Sequence, residues 1–439
     1  MVENKVENLE QNLKVDNTDN SENKTTDPQP SQTNLTDKPK QNVTPFTVEA
    51  SEGGVDYETL IKDFGCSNLP QETIERFEKL TGTRAHHFLR RKIFFCHREF
   101  NKILDCVEAK KPFYLYTGRG PSIDSLHLGH AVPFIFTKYL QDVFKCILVI
   151  QITDDEKFLY KKELKLDETI KMGFQNVKDI IAFGFDPERT FIFSDCEYIE
   201  HLYKNTLKIQ KSITYNQIKA LFGFNDSDNI GKISFPATQC APCLSDSFPH
   251  IFGTRKDITS LIPCAIDQDP YFRLTRDIAQ KLGYNKPCTI YGKFLPALQG
   301  MQTKMSSTGS NLKNPNDTLI LLSDKPKEIR KKINKYAFSG GQTTAEEQRV
   351  KGANLDVDIS YRYLEFFLED DEKLADIANK YKSGQMLTGE IKGELANVLE
   401  KFISEYQATR AKLTDDDVRK FMSVRKIDPG FPEPVKKNK

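Results

Sequence analysis

The sequence predicts an α/β chain: a doubly wound, parallel-sheet domain followed by an all-helical domain. Three observations carry this reading. Short runs apolar on both faces recur between residues 111 and 338. Longer segments with apolar residues at helical spacing separate them. After Ser339-Gly340-Gly341 the strand signals stop while the helical ones continue. A strand apolar on both faces must be covered on both, which a parallel sheet between two helix layers provides. The arrangement is Rossmann-like, and ligands of such sheets bind beyond the carboxyl ends of the strands.

Along the chain, residues 1–42 are rich in Asn, Asp, Glu, Gln, Lys and Thr, with no aromatic residue before Phe46. Such a segment buries too little apolar area to offset the entropy of ordering it, so it is expected to be a disordered polar tail. Residues 43–110 are expected to pack on the catalytic domain as a strand, Val43–Ala50, a Gly53-Gly54 turn and two helices, near 71–80 and 86–105. In residues 111–338 the buried strands read as Phe113–Thr117, Cys146–Thr153, Thr190–Ser194, Leu261–Asp267 and Thr289–Tyr291. Between them, Leu128, Val132, Ile135, Phe136, Tyr139, Leu140 and Val143 fall on one helical stripe, as do Ile170, Phe174, Val177 and Ile181. Residues 339–425 read as a helical domain through two more stripes, Tyr361 to Tyr381 and Leu395 to Tyr406. Residues 426–439 form a basic tail.

Composition narrows the function classes. The 439 residues carry 63 basic and 62 acidic side chains, a net charge of +1, so nucleic-acid binding must come from local patches rather than bulk charge. Nine scattered cysteines form no disulfide framework and read as reduced thiols. Cys240-Ala241-Pro242-Cys243 has no second pair at ligand spacing, so structural thiols are expected there rather than zinc. No run of 18 uncharged apolar residues spans a membrane, and the acidic start argues against a mitochondrial leader. The chain contains no tryptophan.

Two clusters carry chemistry. The first is Tyr116-Thr117-Gly118-Arg119-Gly120-Pro121-Ser122, then His127-Leu128-Gly129-His130 at the start of a long amphipathic helix. Glycines allow close backbone approach, and a helix N-terminus with imidazole donors suits phosphate oxygens. A glycine turn with capping histidines would look the same, and spacing alone leaves the two readings even. The second is Lys304-Met305-Ser306-Ser307-Thr308-Gly309, small polar residues around one cation, expected on a mobile loop. Asp154-Asp155 reads either as a magnesium ligand pair or, more commonly, as helix N-terminal acids. Arg90-Arg91-Lys92 with Arg98 reads equally as a nucleic-acid contact or a solvated helix face.

Together, HLGH and KMSST resemble the HIGH and KMSKS signatures of class I aminoacyl-tRNA synthetases. Residues 43–425 are similar to the tryptophan-specific members of eukaryotic and archaeal cytosolic type, through HHFLRR, YTGRGPS, FTKYLQDVF, VIQITDDEK, GKISFPATQ, IPCAIDQDPYFRLTRD and PALQGMQTKMSS. The resemblance implies ATP-dependent activation of tryptophan and its transfer to tRNA(Trp), in the cytoplasm, by a homodimer using ATP with Mg²⁺. It implies that His127, Gly129 and His130 cradle the nucleotide with Met305, that Arg119 and Lys304 meet phosphates, and that Ser306 helps close the loop. Tyr116 and Gln151 would face the indole N–H; Glu156, Gln239 and Gln268 the α-ammonium; Thr153 and Phe272 the pocket wall. It also implies that the helical domain reads the anticodon. Two departures stand out: KMSST lacks the second lysine of KMSKS, and Phe46 stands where relatives often have tryptophan in a hairpin near the site. A tyrosine-specific synthetase shares both signatures, but IPCAIDQDPYF and VIQITDDE favour tryptophan. A nucleotidyltransferase without tRNA would not need the helical domain. A non-catalytic scaffold would not need Glu156, His130 and Lys304.

Overall fold

A computed structural model describes residues 41–51, 53–305 and 315–430. The polar tail up to residue 40, the loop residues Ser306–Gly309 and the last nine residues of the basic tail lie outside the described residues.

Eleven strands occur in chain order among the described residues: β1 (Asn42–Val43), β2 (Val48–Glu49), β3 (Ser67–Asn68), β4 (Phe94–Arg98), β5 (Phe113–Arg119), β6 (Ile147–Ile152), β7 (Thr190–Ser194), β8 (Thr259–Ala265), β9 (Cys288–Gly292), β10 (Pro296–Ala297) and β11 (Gly300–Lys304). Seven form one sheet in the order β3-β4-β9-β8-β5-β6-β7. The five from β9 to β7 are parallel. Strands β5, β6 and β7 advance toward one edge, whereas β8 and β9 lie on the other side of β5. The chain therefore reverses direction across the sheet at β5 and β8, where a crevice opens at the strands' carboxyl ends.

Alternating residues feed two apolar layers. Phe113 and Leu115 of β5 point into one core with Leu148, Ile150, Ile192, Leu261 and the helix Leu128–Phe144. Tyr114 and Tyr116 point into the other with Val149, Phe191, Ile262 and the helices Asp195–Ser212 and Asp269–Ala279. This double coverage explains why the strands read as continuous apolar runs.

The structure corrects four expectations. The sheet is mixed, because β4 pairs antiparallel with β9 and β3 with β4. The expected helix over 86–105 is broken: His87–Arg90 is one helical turn, Phe94–Arg98 is strand β4, and a helix runs from Phe100 to Glu108. Ile93, Phe94, Phe95 and Cys96 are all buried, and an apolar run of this kind fits a strand between neighbours better than an amphipathic helix. The expected strand Val43–Ala50 is a hairpin of β1 and β2. Strand β8 ends at Ala265, and Ile266–Gln268 form a 3₁₀ turn that lifts Asp267 and Gln268 over the strand end.

A four-stranded antiparallel sheet, β1-β2-β11-β10, lies beside the large one. Thr303 of β11 pairs with Glu49 of β2, and Lys304 with Pro296 of β10, so both flanks of the lysine-bearing strand are fixed.

The described C-terminal region is helical, from Ala345–Lys351 through Ile359–Phe367, Asp371–Lys382 and Thr388–Lys412 to Asp415–Met422. Residues 39–439 form one compact unit. Arg90 and Arg91 meet neither tRNA-facing nor solvated-face expectations: with Arg84 they converge on the Asp371 carboxylate at 2.5–3.1 Å. Arg91 also donates to the carbonyls of Glu365 and Leu368. Arg98 is paired with buried Asp269 at 2.6 Å.

Asp371→Ala is expected to destabilise the protein by about 1–2 kcal/mol, because hydrogen bonds to a charged partner are lost and partial exposure weakens the Coulomb share. The reading is a melting temperature lowered by a few degrees; an unchanged melting temperature would remove the clamp from the account.

Candidate active site

A cavity of about 640 Å³ opens at the carboxyl ends of β5, β8 and β9. Gly118 and Arg119 line it from β5, Thr153 from just beyond β6, Cys264 and Ala265 from β8, and Gly292 from β9. Glu156, Gln239, Gln268 and Phe272 line it from the helices that follow, and His127, Gly129, His130, Lys304 and Met305 complete it. The two sequence clusters, nearly two hundred residues apart, thus meet on one cavity.

The glycines have steric reasons. A Cβ on Gly120 would overlap Lys157 and stand 2.7 Å from Glu156 Oε2. One on Gly129 would stand 3.0 Å from His127 Cε1. A side chain at either position would push these neighbours away from the cavity. The segment is anchored from below: Leu128 N–H donates to Ile320 C=O at 3.0 Å and Leu322 N–H to Leu126 C=O at 2.8 Å.

Arg119 is the central cation. Its Nη1 donates to His130 Nε2 at 2.8 Å and its Nε to Asn176 Oδ1 at 3.2 Å, while Nη2 has no partner although it is buried. Burial pulls its guanidinium down to about 10, against the pull of Glu156 and Asp179. Arg119 can only donate, so His130 Nε2 accepts in that contact. The rings of His127 and His130 stack with centroids 3.5 Å apart. Burial first, and then the nearby Arg119 and Lys304 charges, hold both imidazoles well below 6.5. Both rings are neutral at physiological pH.

Lys304 Nζ lies 2.5 Å from Asp267 Oδ2. The sequence pattern did not single out Asp267, although its place just past the end of a buried strand, beside Gln268, was a usable signal. Ser306 lies outside the described residues. Met305 is buried, its N–H donating to Leu295 C=O at 2.8 Å. Opposite, Thr153 Oγ1 donates to Glu156 Oε2 at 2.7 Å, and Lys157 Nζ pairs with the same oxygen at 3.0 Å. Phe46, at the tip of the β1–β2 hairpin, stacks on Tyr160 with centroids 5.0 Å apart and lines the cavity mouth.

Tyr116 and Gln151 stand differently from expectation: neither lines the cavity. Both are buried one layer behind it, because the two polar groups pair with each other. The Tyr116 hydroxyl lies 2.5 Å from Gln151 Oε1 and 2.8 Å from the carbonyl of Gln239, which does line the cavity. Phe272 meets the Tyr116 ring edge-on at 6.0 Å. Asp154 is buried at the helix N-terminus, accepting from the Ser194 hydroxyl and from Cys196 N–H. Cys240 and Cys243 are buried in the core, with the Cys240 thiol 3.1 Å from the Tyr271 carbonyl.

The geometry defines a class: a doubly wound sheet whose crevice has a signature helix on one side and a strand-end lysine on the other. The description "tRNA synthetases class I (W and Y)" matches residues 108–404, and the chain belongs to that family. A cytoplasmic tryptophan–tRNA ligase from Homo sapiens is 56% identical over 393 residues, covering 89% of this chain and 82% of the relative. One from Dictyostelium discoideum is 55% identical over 394 residues, covering 89% and 97%. A crystal structure of tryptophanyl-tRNA synthetase from Plasmodium falciparum is 49% identical, covers 85% of this chain and 98% of its own, and superposes with a TM-score of 0.79. Within the family the chain therefore stands among the tryptophan–tRNA ligases.

Six of the seven histidines (His86, His87, His97, His127, His130 and His250) are held below 6.5, with burial the first cause in each. The unfolded chain binds these protons below pH ~6.5 and the folded chain does not, so their contribution to stability is lost as pH falls through that value. Wild type is therefore expected to lose stability relative to His127→Asn/His130→Asn between pH 7 and pH 5, other titrating groups being common to both. A stability difference constant with pH would contradict the neutral assignment.

Proposed function

We propose that the cavity described above is where this tryptophan–tRNA ligase activates tryptophan, with the residues named below in the stated roles. The observation that carries the reading is the set of buried donors without partners on the cavity: Arg119 Nη2 and the His127 ring, neither of whose nitrogens is paired. Buried donors are normally paired, and these surround a space that a nucleotide's phosphates would fill.

The tryptophan carboxylate attacks the α-phosphorus of ATP; the bond to the bridging oxygen breaks, and pyrophosphate leaves with its electron pair. The nucleophile is already ionised at neutral pH, so no general base is needed. Catalysis then rests on alignment and on charge placed where the transition state needs it. His127, Gly129 and His130 hold the nucleotide at the N-terminus of the helix Leu128–Phe144 beside Met305, where helix N–H groups favour an anion. Arg119 and Lys304 meet phosphates. Ser306 helps close the loop. Glu156, Gln239 and Gln268 hold the α-ammonium, Thr153 and Phe272 line the wall, and Tyr116 with Gln151, paired behind that wall, is the polar end that the indole N–H would approach. A terminal ribose hydroxyl of tRNA(Trp) then attacks the tryptophanyl carbonyl and releases AMP.

Among the described residues no group of three His, Cys, Asp or Glu side chains is gathered to hold a metal ion. Mg²⁺ would arrive on the triphosphate and would neutralise charge on the phosphates. Residues 339–425 act as the anticodon-binding domain, 111–338 as the catalytic domain, and 43–110 as its N-terminal support. Exposed Ile199, Tyr203 and Leu207 recur every fourth residue along the helix Asp195–Ser212 and support homodimerisation. Among the described residues no helix is long and apolar enough to cross a membrane; the relatives named above are cytoplasmic proteins, and we place this chain there too.

In an ATP–pyrophosphate exchange assay with each of the twenty amino acids, tryptophan is expected to support exchange and tyrosine to fail; comparable exchange with tyrosine would overturn the specificity. Lys304→Ala is expected to cut that exchange at least about tenfold, a loss of ~1.4 kcal/mol of transition-state stabilisation, with tryptophan binding little changed. Exchange within about threefold of wild type, ~0.7 kcal/mol, would take Lys304 out of the phosphate role.

A further inference from the structure

The amide of Gln151 has two ends of nearly equal size, and only its surroundings decide which faces Tyr116. If oxygen faces that way, an indole N–H finds an acceptor; if nitrogen does, two donors meet. On the far side of the amide stands Asp195. Gln151 Nε2 donates to Asp195 Oδ1 at 2.7 Å and to Oδ2 at 2.9 Å, leaving Oε1 against the Tyr116 hydroxyl. A reversed amide would set its oxygen against the acceptor oxygens of Asp195.

We infer that Asp195 is a positioning residue for tryptophan specificity: it fixes the Gln151 amide with its oxygen toward the indole end of the site. It does so without touching substrate. The inference rests on the reading of Gln151 as an indole-facing residue given above.

The placement of Asp195 is firm. It is the first residue of the helix Asp195–Ser212, and Ser194 caps that helix by accepting from Glu197 N–H at 3.2 Å. Ser194 is itself tied to Asp154, so the helix start is locked to the end of β6. Asp195 is only 1% exposed. Burial raises both carboxyls, Asp155 to about 7 beside the Asp154 charge and Asp195 well above its ordinary value beside the Asp155 charge. Both Asp195 oxygens are within reach of Gln151 Nε2, so one accepts even when the other carries a proton. An asparagine at 195 reproduces this pattern, with its N–H₂ toward Asp155 and its oxygen toward Gln151. A leucine keeps the volume and has no acceptor.

The test compares kcat/KM for tryptophan with kcat/KM for the analogue carrying sulfur in place of the indole N–H, since the ratio cancels general damage. Asp195→Leu is expected to lower this ratio about fivefold or more, because the amide is no longer held and an N–H donor faces an unreliable acceptor. Asp195→Asn is expected to stay within about twofold of wild type. Asp195→Ala replaces the leucine variant should that protein fail to fold. Gln151→Leu is measured beside them. If Gln151→Leu lowers the ratio and Asp195→Leu does not, the positioning role is overturned. If Asp195→Asn falls as far as Asp195→Leu, the acceptor argument is overturned. If Gln151→Leu itself leaves the ratio unchanged, the indole reading of Gln151 fails first, and the inference falls with it.

Discussion

Polar groups buried at the end of an apolar sheet must be paired, and this requirement organises the molecule around its crevice. Strands β5 to β9 are apolar on both faces, so the first polar side chains beyond their ends sit in surroundings of low polarity. Most are satisfied internally: Gln151 between Tyr116 and Asp195, Asp154 by Ser194 and Cys196, Asp269 by Arg98. Arg119, His127 and Asp267 keep buried atoms that the protein does not satisfy. An unsatisfied buried donor costs about 1–3 kcal/mol. A binding site is where such a cost is recovered, by a ligand that supplies the missing partner.

The surrounding architecture holds these groups still. Lys304 sits at the end of β11, whose neighbours β2 and β10 are fixed by pairing, so the cation reaches the cavity from a rigid edge. The start of the signature helix is tied through Leu128 and Leu126 to the segment Ile320–Leu322. Farther out, Arg84, Arg90 and Arg91 bind the helical region to the N-terminal support through Asp371. A cluster read as a possible tRNA contact is instead an internal clamp.

Much of this was legible in the sequence, and the failures have physical causes. The five parallel strands announced themselves as apolar runs because both faces are covered. Strand β4 was hidden because Phe94, Phe95 and Cys96 follow a helical turn without a glycine or proline break, so the periodicity of the preceding residues ran on into it. The cavity lining was found where residues stand in the signature clusters or in stretches that resemble the family. Asp267 and Asp195 were missed because each acts through another side chain, Lys304 and Gln151, and no spacing rule marks a partner brought near only by the fold. The depth of Tyr116 and Gln151 was likewise invisible: a strand end predicts that a residue is near the site, not whether it pairs with a neighbour first.

The central claim is that the unpaired groups and the Lys304–Asp267 pair are arranged for a phosphate-bearing ligand. A crystal structure of the protein with a non-hydrolysable analogue of tryptophanyl-adenylate tests it most directly. The account predicts Lys304 Nζ drawn from Asp267 toward the phosphate or its replacement, Arg119 Nη2 hydrogen-bonded to the ligand, and a His127 ring nitrogen within hydrogen-bonding distance of it. Lys304 still 2.5 Å from Asp267, with Arg119 Nη2 and His127 unpaired beside a bound adenylate, would contradict it.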